Sequence, residues 1–190
     1  MKKGMNRADS LQNAFALLES DFGKSELCVF LSHKSLGKAS AKQIAGYFSD
    51  AGIDYYLDEN DLSLQRAASA NDPNALTEII KKGISESTYL LVIISAIAFD
   101  SPWIPFEIGF GQAAIGADSR KLALLPLKDA AEMMLPDFMR TAYDIRGTKS
   151  LNLYISIITS LNESLLKSET RIFSESMPNH HLDKILKWNA

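Results

Sequence analysis

The run TYLLVIISAIA, residues 88–98, carries no charged side chain. It is too short for a membrane-crossing helix, which needs ~20 apolar residues. As a strand it has no water-facing side, so both of its faces must be covered. Strands buried on both faces belong to parallel sheets flanked by helices. The chain supplies the partners such a sheet needs. ELCVFLSH (26–33), IDYYLD (53–58) and KLALLPL (121–127) read as strands, and AYDIRG (142–147) as a short fifth. Between them lie helical patterns. ASAKQIAGYFSDAG places Ile44, Tyr47 and Phe48 at helical spacing, with Gly52 as a C-terminal stop. ALTEIIKKGIS turns Ile79, Ile80 and Ile84 inward. WIPFEIGFGQAAIGA carries its prolines early, where a helix tolerates them. SLNLYISIITSLNESLL closes the alternation. The polar stretch ENDLSLQRAASANDPN, residues 59–74, reads as a long loop, and AAEMMLPDFM as a short helix or loop.

The order β-α-β-α-β-α-β-α-β-α predicts a doubly wound α/β domain over residues 26–166 with right-handed crossovers. A helical extension is expected over residues 1–25. Residues 167–190 read as a polar tail in which HHLDKILKW forms a short helix. In such sheets ligands bind beyond the carboxyl ends of the strands, near the switch in strand order. That rule gathers His33, Lys34 and Ser35 after the first strand. It adds Asp58, Glu59 and Asp61 after the second, and Ser101, Trp103 and Glu107 after the third.

Composition narrows the chemistry. A formal net charge of −3 gives no general reason to expect nucleic acid or an anionic membrane. The single cysteine, Cys28, excludes an intrachain disulfide, and with His33, His180 and His181 it makes no zinc-ligand spacing. Cys28 reads as a small buried hydrophobe and the His180–His181 pair as solvated. The basic opening lacks a cleavage pattern, so a cytoplasmic protein is expected. GFGQAAIG falls inside a helix and not between strand and helix, so it is no phosphate loop, and Gly109 and Gly111 are read as permitting close packing.

SPWIPFEIGF, residues 101–110, sets one carboxylate, Glu107, among apolar neighbours. Two readings stand on the residues alone. Glu107 is either a first-turn carboxylate favoured by the helix dipole, or the single carboxylate of a reaction that wants a dry setting. Trp103, Phe106 and Phe110 supply apolar surroundings, but helical spacing is read as placing them on different faces.

Four segments, in order, resemble the Toll/interleukin-1 receptor (TIR) domains. VFLSHKS is similar to the family's first strand, which ends in Ser before a His or aromatic and basic residues. IDYYLDENDL resembles the second strand leading into the BB loop. SPWIPFEIG carries the W-x-x-x-E spacing, and LPDFM with YDIRG resembles the segment at the last strand of bacterial members. The resemblance implies a flavodoxin-like five-stranded parallel sheet with helices on both faces. It also implies cleavage of NAD⁺ at the nicotinamide–ribose bond, with NAD⁺ as substrate and no further cofactor or metal. The family's catalytic glutamate falls on Glu107. Ser32, His33, Lys34, Asp58 and Trp103 take the substrate-binding positions, with Lys34 and Ser35 standing where several such enzymes have paired arginines. Also implied are homo-oligomers through TIR–TIR contacts, in which a neighbour's BB loop completes the site. Free-standing bacterial members resemble the NAD⁺-cleaving component of Thoeris-type antiphage defence, whose nucleotide product reaches a separate effector. Two alternatives stand beside this reading: a non-catalytic scaffold acting by homotypic binding, and a nucleoside 2-deoxyribosyltransferase-like enzyme of the same architecture.

Overall fold

The computed structural model describes residues 3–10, 27–34, 37–116, 118–130, 134–160 and 180–188. The expected leader helix beyond residue 10, Ser35 and most of the expected tail lie outside the described residues. Five strands are formed: β1 Cys28–Ser32, β2 Asp54–Tyr56, β3 Tyr89–Ile94, β4 Leu122–Pro126 and β5 Tyr143–Asp144. All pair in parallel, in the order β2-β1-β3-β4-β5. This is the flavodoxin-like arrangement, and its strand order reverses between β1 and β3. The helices are α1 Arg7–Ser10, α2 Lys38–Asp50, α3 Leu62–Ser69, α4 Pro73–Ser85, α5 Trp103–Ile115 and α6 Thr148–Ser160.

Alternation along the strands divides the core in two. Val29, Leu31, Leu91, Ile93, Ala123 and Leu125 pack with α2 and α6. Cys28, Phe30, Leu90, Val92, Ile94, Leu122 and Leu124 pack with α4 and α5. All six residues of β3 are buried, as its sequence requires. Gly52 sits at φ 75 just after α2, the left-handed conformation a helix stop favours.

Three features differ from the sequence expectations. The polar stretch at residues 59–74 is mostly helical. Asp61 caps α3 by accepting from the Ser63 and Leu64 amides, while Asp72 caps α4 with Pro73 at the first position. Good helix formers follow each cap, but α3 is short and sets only Ala67 and the half-buried Leu64 against the core, so its apolar signal is small beside its polar composition.

The described tail, residues 180–188, forms turns and no helix. Leu182 and Leu186 enter the core beside α2 and α6. The carbonyls of Lys187 and Trp188 accept from the Thr148 and Lys149 amides, which have no partner within the first turn of α6. His180 is 3% exposed, contrary to the expected solvated pair, whereas His181 is exposed. The Leu182 amide donates to Nδ1 of His180. That leaves the ring proton on Nε2, 3.3 Å from the Tyr47 hydroxyl.

Of the two glycines expected to permit close packing, one does so. A Cβ on Gly111 would lie 2.5 Å from Leu90 Cδ2, but one on Gly109 would meet nothing within 4 Å. Only Gly111 serves the contact between α5 and the sheet.

Candidate functional site

Ser32 is the last residue of β1. Alternation turns its side chain to the same side as Cys28 and Phe30, toward α5. Glu107 stands in the second turn of α5 and is 7% exposed. The Ser32 hydroxyl donates to Glu107 Oε2 across the point where the strand order reverses. Burial pushes the Glu107 carboxyl up to about 8. The Ser32 hydrogen bond opposes that rise and the charge of Asp58 adds to it. The first-turn dipole reading of Glu107 is therefore insufficient, since the carboxylate is buried against β1 and not solvated at a helix end.

Asp58 follows β2 and is half-buried. Its Oδ1 lies 3.8 Å from His33 Nδ1. Burial raises the Asp58 carboxyl, while His33 and Lys38 act against the rise. The His33 side chain is 3% exposed, and its Nδ1 lies 3.3 Å from the Leu31 carbonyl. Ser32, Glu107, His33 and Asp58 thus form one connected group of hydrogen bonds and charge contacts.

Lys34 and Trp103 face elsewhere. Lys34 Nζ lies 3.3 Å from Asp100 Oδ2, bridging the segments after β1 and β3 at the rim. The Trp103 ring meets Phe106 edge-on at 5.8 Å, and Phe106 stacks on Phe110 at 6.2 Å. The three rings form one row, contrary to the expectation of separate faces. Positions i, i+3 and i+7 share a helix stripe. Lys81 Nζ stands 6.0 Å from the centre of the Phe110 ring, at the end of that row.

Two further carboxylates lie beside this group: Asp61, expected at this edge of the sheet, and Asp100, which the sequence did not single out. Asp61 is 2% exposed and accepts from the Tyr56 hydroxyl at 2.7 Å while capping α3. Asp100 pairs with Lys34. Neither the Asp61 cap nor its bond to Tyr56 was read from the sequence, where residues 59–74 were expected as a loop. Cys28 is buried with its thiol pushed up to about 11, which suits a packed hydrophobe and not a nucleophile. Among the described residues no group of His, Cys, Asp and Glu is placed to hold a metal ion, and no helix is long and apolar enough to cross a membrane.

The sheet order defines a doubly wound α/β protein, with the buried Glu107 carboxylate as its candidate site at the switch point. The family model for the TIR domain matches residues 29–153, well over half of the chain, and the chain belongs to that family. No curated protein matches it.

Proposed function

We propose that this TIR domain cleaves NAD⁺ at the nicotinamide–ribose bond, with Glu107 as the catalytic carboxylate. The observation that carries the reading is the Ser32–Glu107 pair, a single dry carboxylate held at the switch point. The chemistry asks for little else. The C1′–N bond breaks with its electron pair leaving on nicotinamide, which departs neutral and needs no proton. The ribose is left as an oxocarbenium-like centre, which an ionised carboxylate stabilises. Water then attacks C1′ and loses a proton, giving ADP-ribose. Attack by a nucleophile of the same molecule gives a cyclic isomer instead.

A carboxyl raised to about 8 is mostly protonated at neutral pH. The pyridinium of NAD⁺ supplies the missing bias, because a cation beside Glu107 favours its ionised form. Ser32 then holds the carboxylate in place, and binding releases a proton to the buffer. His33 and Asp58, linked to Glu107 through the charge of Asp58, are the neighbouring polar groups available to the ribose hydroxyls. Lys34 must leave Asp100 to meet a phosphate, an exchange of one exposed ion pair for another. A neighbouring copy that supplies its residues 59–74 would complete the site, and turnover would then rise more than linearly with protein concentration. The resemblance to Thoeris-type components extends the reading to a nucleotide signal for a separate effector, tested by NAD⁺-derived product in phage-challenged cells.

The direct test is nicotinamide release by concentrated protein, wild type against Glu107→Ala, with products resolved by chromatography. Release by wild type alone supports the reading. Equal release by both overturns the role of Glu107. Silence from both favours the homotypic scaffold, for which the 45% exposed Leu62 at the start of α3 offers an apolar contact.

A further inference from the structure

The N-terminal segment lies outside the matched family region, yet it docks beside the candidate site. It runs along the open edge of β2, residue by residue. The Gly4 amide donates to the Ser49 carbonyl, and the Ser49 hydroxyl donates back to the Gly4 carbonyl. A Cβ on Gly4 would lie 1.9 Å from the Ile53 carbonyl oxygen, so only glycine allows this approach. The Met5 amide donates to Asp54 Oδ1, and the Tyr55 amide to the Met5 carbonyl. Asn6 forms a parallel bridge with Tyr55.

Asn6 then does what a further strand residue would do. Its Oδ1 accepts from the Leu57 amide at 3.0 Å, and its Nδ2 donates to the Leu57 carbonyl at 3.2 Å. The same Oδ1 accepts from the Ala8 amide at 3.2 Å, which fixes the amide's orientation. Asn6 is 9% exposed, so little water competes for these bonds. Both backbone polar groups of Leu57 are thus held by one side chain. Leu57 is the last residue before Asp58, and Asp58 stands 3.8 Å from His33 and bears electrostatically on Glu107.

We infer that Asn6 is a positioning residue for the site at Glu107, fixing the backbone at Leu57 so that Asp58 is presented to His33 and Glu107. The N-terminal segment is then part of the functional unit and not only a cover for a sheet edge. The inference rests on the proposed reading of the site, but its structural half is measurable without turnover. The groups bearing on Asp58 are His33, Lys38 and Asp61, and those bearing on Glu107 are Ser32 and Asp58.

The test follows the carboxyl carbons of Glu107 and Asp58 by NMR titration in the full chain, together with nicotinamide release. Three variants are compared: Asn6→Ala, Asn6→Gln and Ser49→Ala. Asn6→Gln keeps an amide but sets it one carbon too far out, so it leaves no unpartnered core if the alanine variant fails to fold. Ser49→Ala loosens the same segment without touching Leu57. With Asp58 released, the Glu107 midpoint moves to lower pH in both Asn6 variants and stays at the wild-type value in Ser49→Ala. Where wild type releases nicotinamide, kcat/KM falls about 10- to 100-fold in the Asn6 variants, the scale of a small misplacement at a reacting centre. Unchanged midpoints and kcat/KM in the Asn6 variants, with only a lower Tm, overturn the inference and leave the segment an edge cover. A shifted midpoint with no release from wild type supports the positioning and counts against NAD⁺ cleavage alone.

Discussion

Two carboxylates of this domain are almost equally buried, and the fold treats them in opposite ways. Asp54, 4% exposed, opens β2 and is fully provided for. It accepts from the Met5 amide and from Nε and Nη2 of Arg7, each at 3.2 Å or less. Arg7 in turn reaches the Glu86 carbonyl at the end of α4. Glu107, 7% exposed, has one hydroxyl and the repulsion of Asp58. A buried carboxylate kept for structure is matched with a guanidinium and amides. One left under-compensated, and pushed up to about 8, costs stability, and under the proposed function that cost keeps Glu107 ready for chemistry.

The contrast breaks if Glu107 proves dispensable. Glu107→Ala should lower nicotinamide release by at least about 100- to 1,000-fold, the scale for losing a principal electrostatic stabiliser. Asp54 should respond in stability instead. Arg7→Ala strands it without its guanidinium, with an expected loss of roughly 3 kcal/mol in urea unfolding. A loss under about 1 kcal/mol would mean that Asp54 finds water or another partner, and the two carboxylates would differ less than proposed.

A stability-against-pH comparison sharpens the same point from the other side. Glu107 titrates near 8 in the folded protein and near the ordinary glutamate value of 4.5 when unfolded. Between those values the folded form keeps a proton the unfolded form has lost. Stability therefore falls as pH rises from about 4.5 to about 8 and levels off above it. Glu107→Gln removes that dependence. Its stability should exceed that of wild type by on the order of 5 kcal/mol at pH 9, with the gap closing toward pH 4.5. A gap that is constant with pH would show Glu107 already ionised in the free protein. The smallest effect belongs to the rim: Lys34→Gln should change stability by less than about 0.5 kcal/mol, since its Asp100 partner is largely exposed.

The sheet was legible because parallel strands buried on both faces leave an unbroken apolar signature, as in TYLLVIISAIA. Alternating helices with their caps and stops supplied its connections. Glu107 was legible as an anomaly in SPWIPFEIGF, and its proposed role came only through the family resemblance. Its bond to Ser32, 75 residues away in sequence, is a product of the crossover and has no local signal. The α3 helix was hidden by polar composition, since it is only eight residues long, opens at the Asp61 cap and sets just Ala67 and Leu64 against the core. His180 and Asn6 were hidden for a different reason. Each is a polar residue whose partners, Tyr47 and Leu57, are set by tertiary docking of a terminal segment, and composition in those segments looks solvated.

The most direct measurement is the pH dependence of nicotinamide release from NAD⁺ at low substrate, wild type beside Glu107→Gln. Wild-type kcat/KM should rise through a midpoint near 8, the free-enzyme value of the Glu107 carboxyl, with the glutamine variant inactive throughout. Release by Glu107→Gln at the wild-type rate, or no release by either protein at any pH, would contradict it.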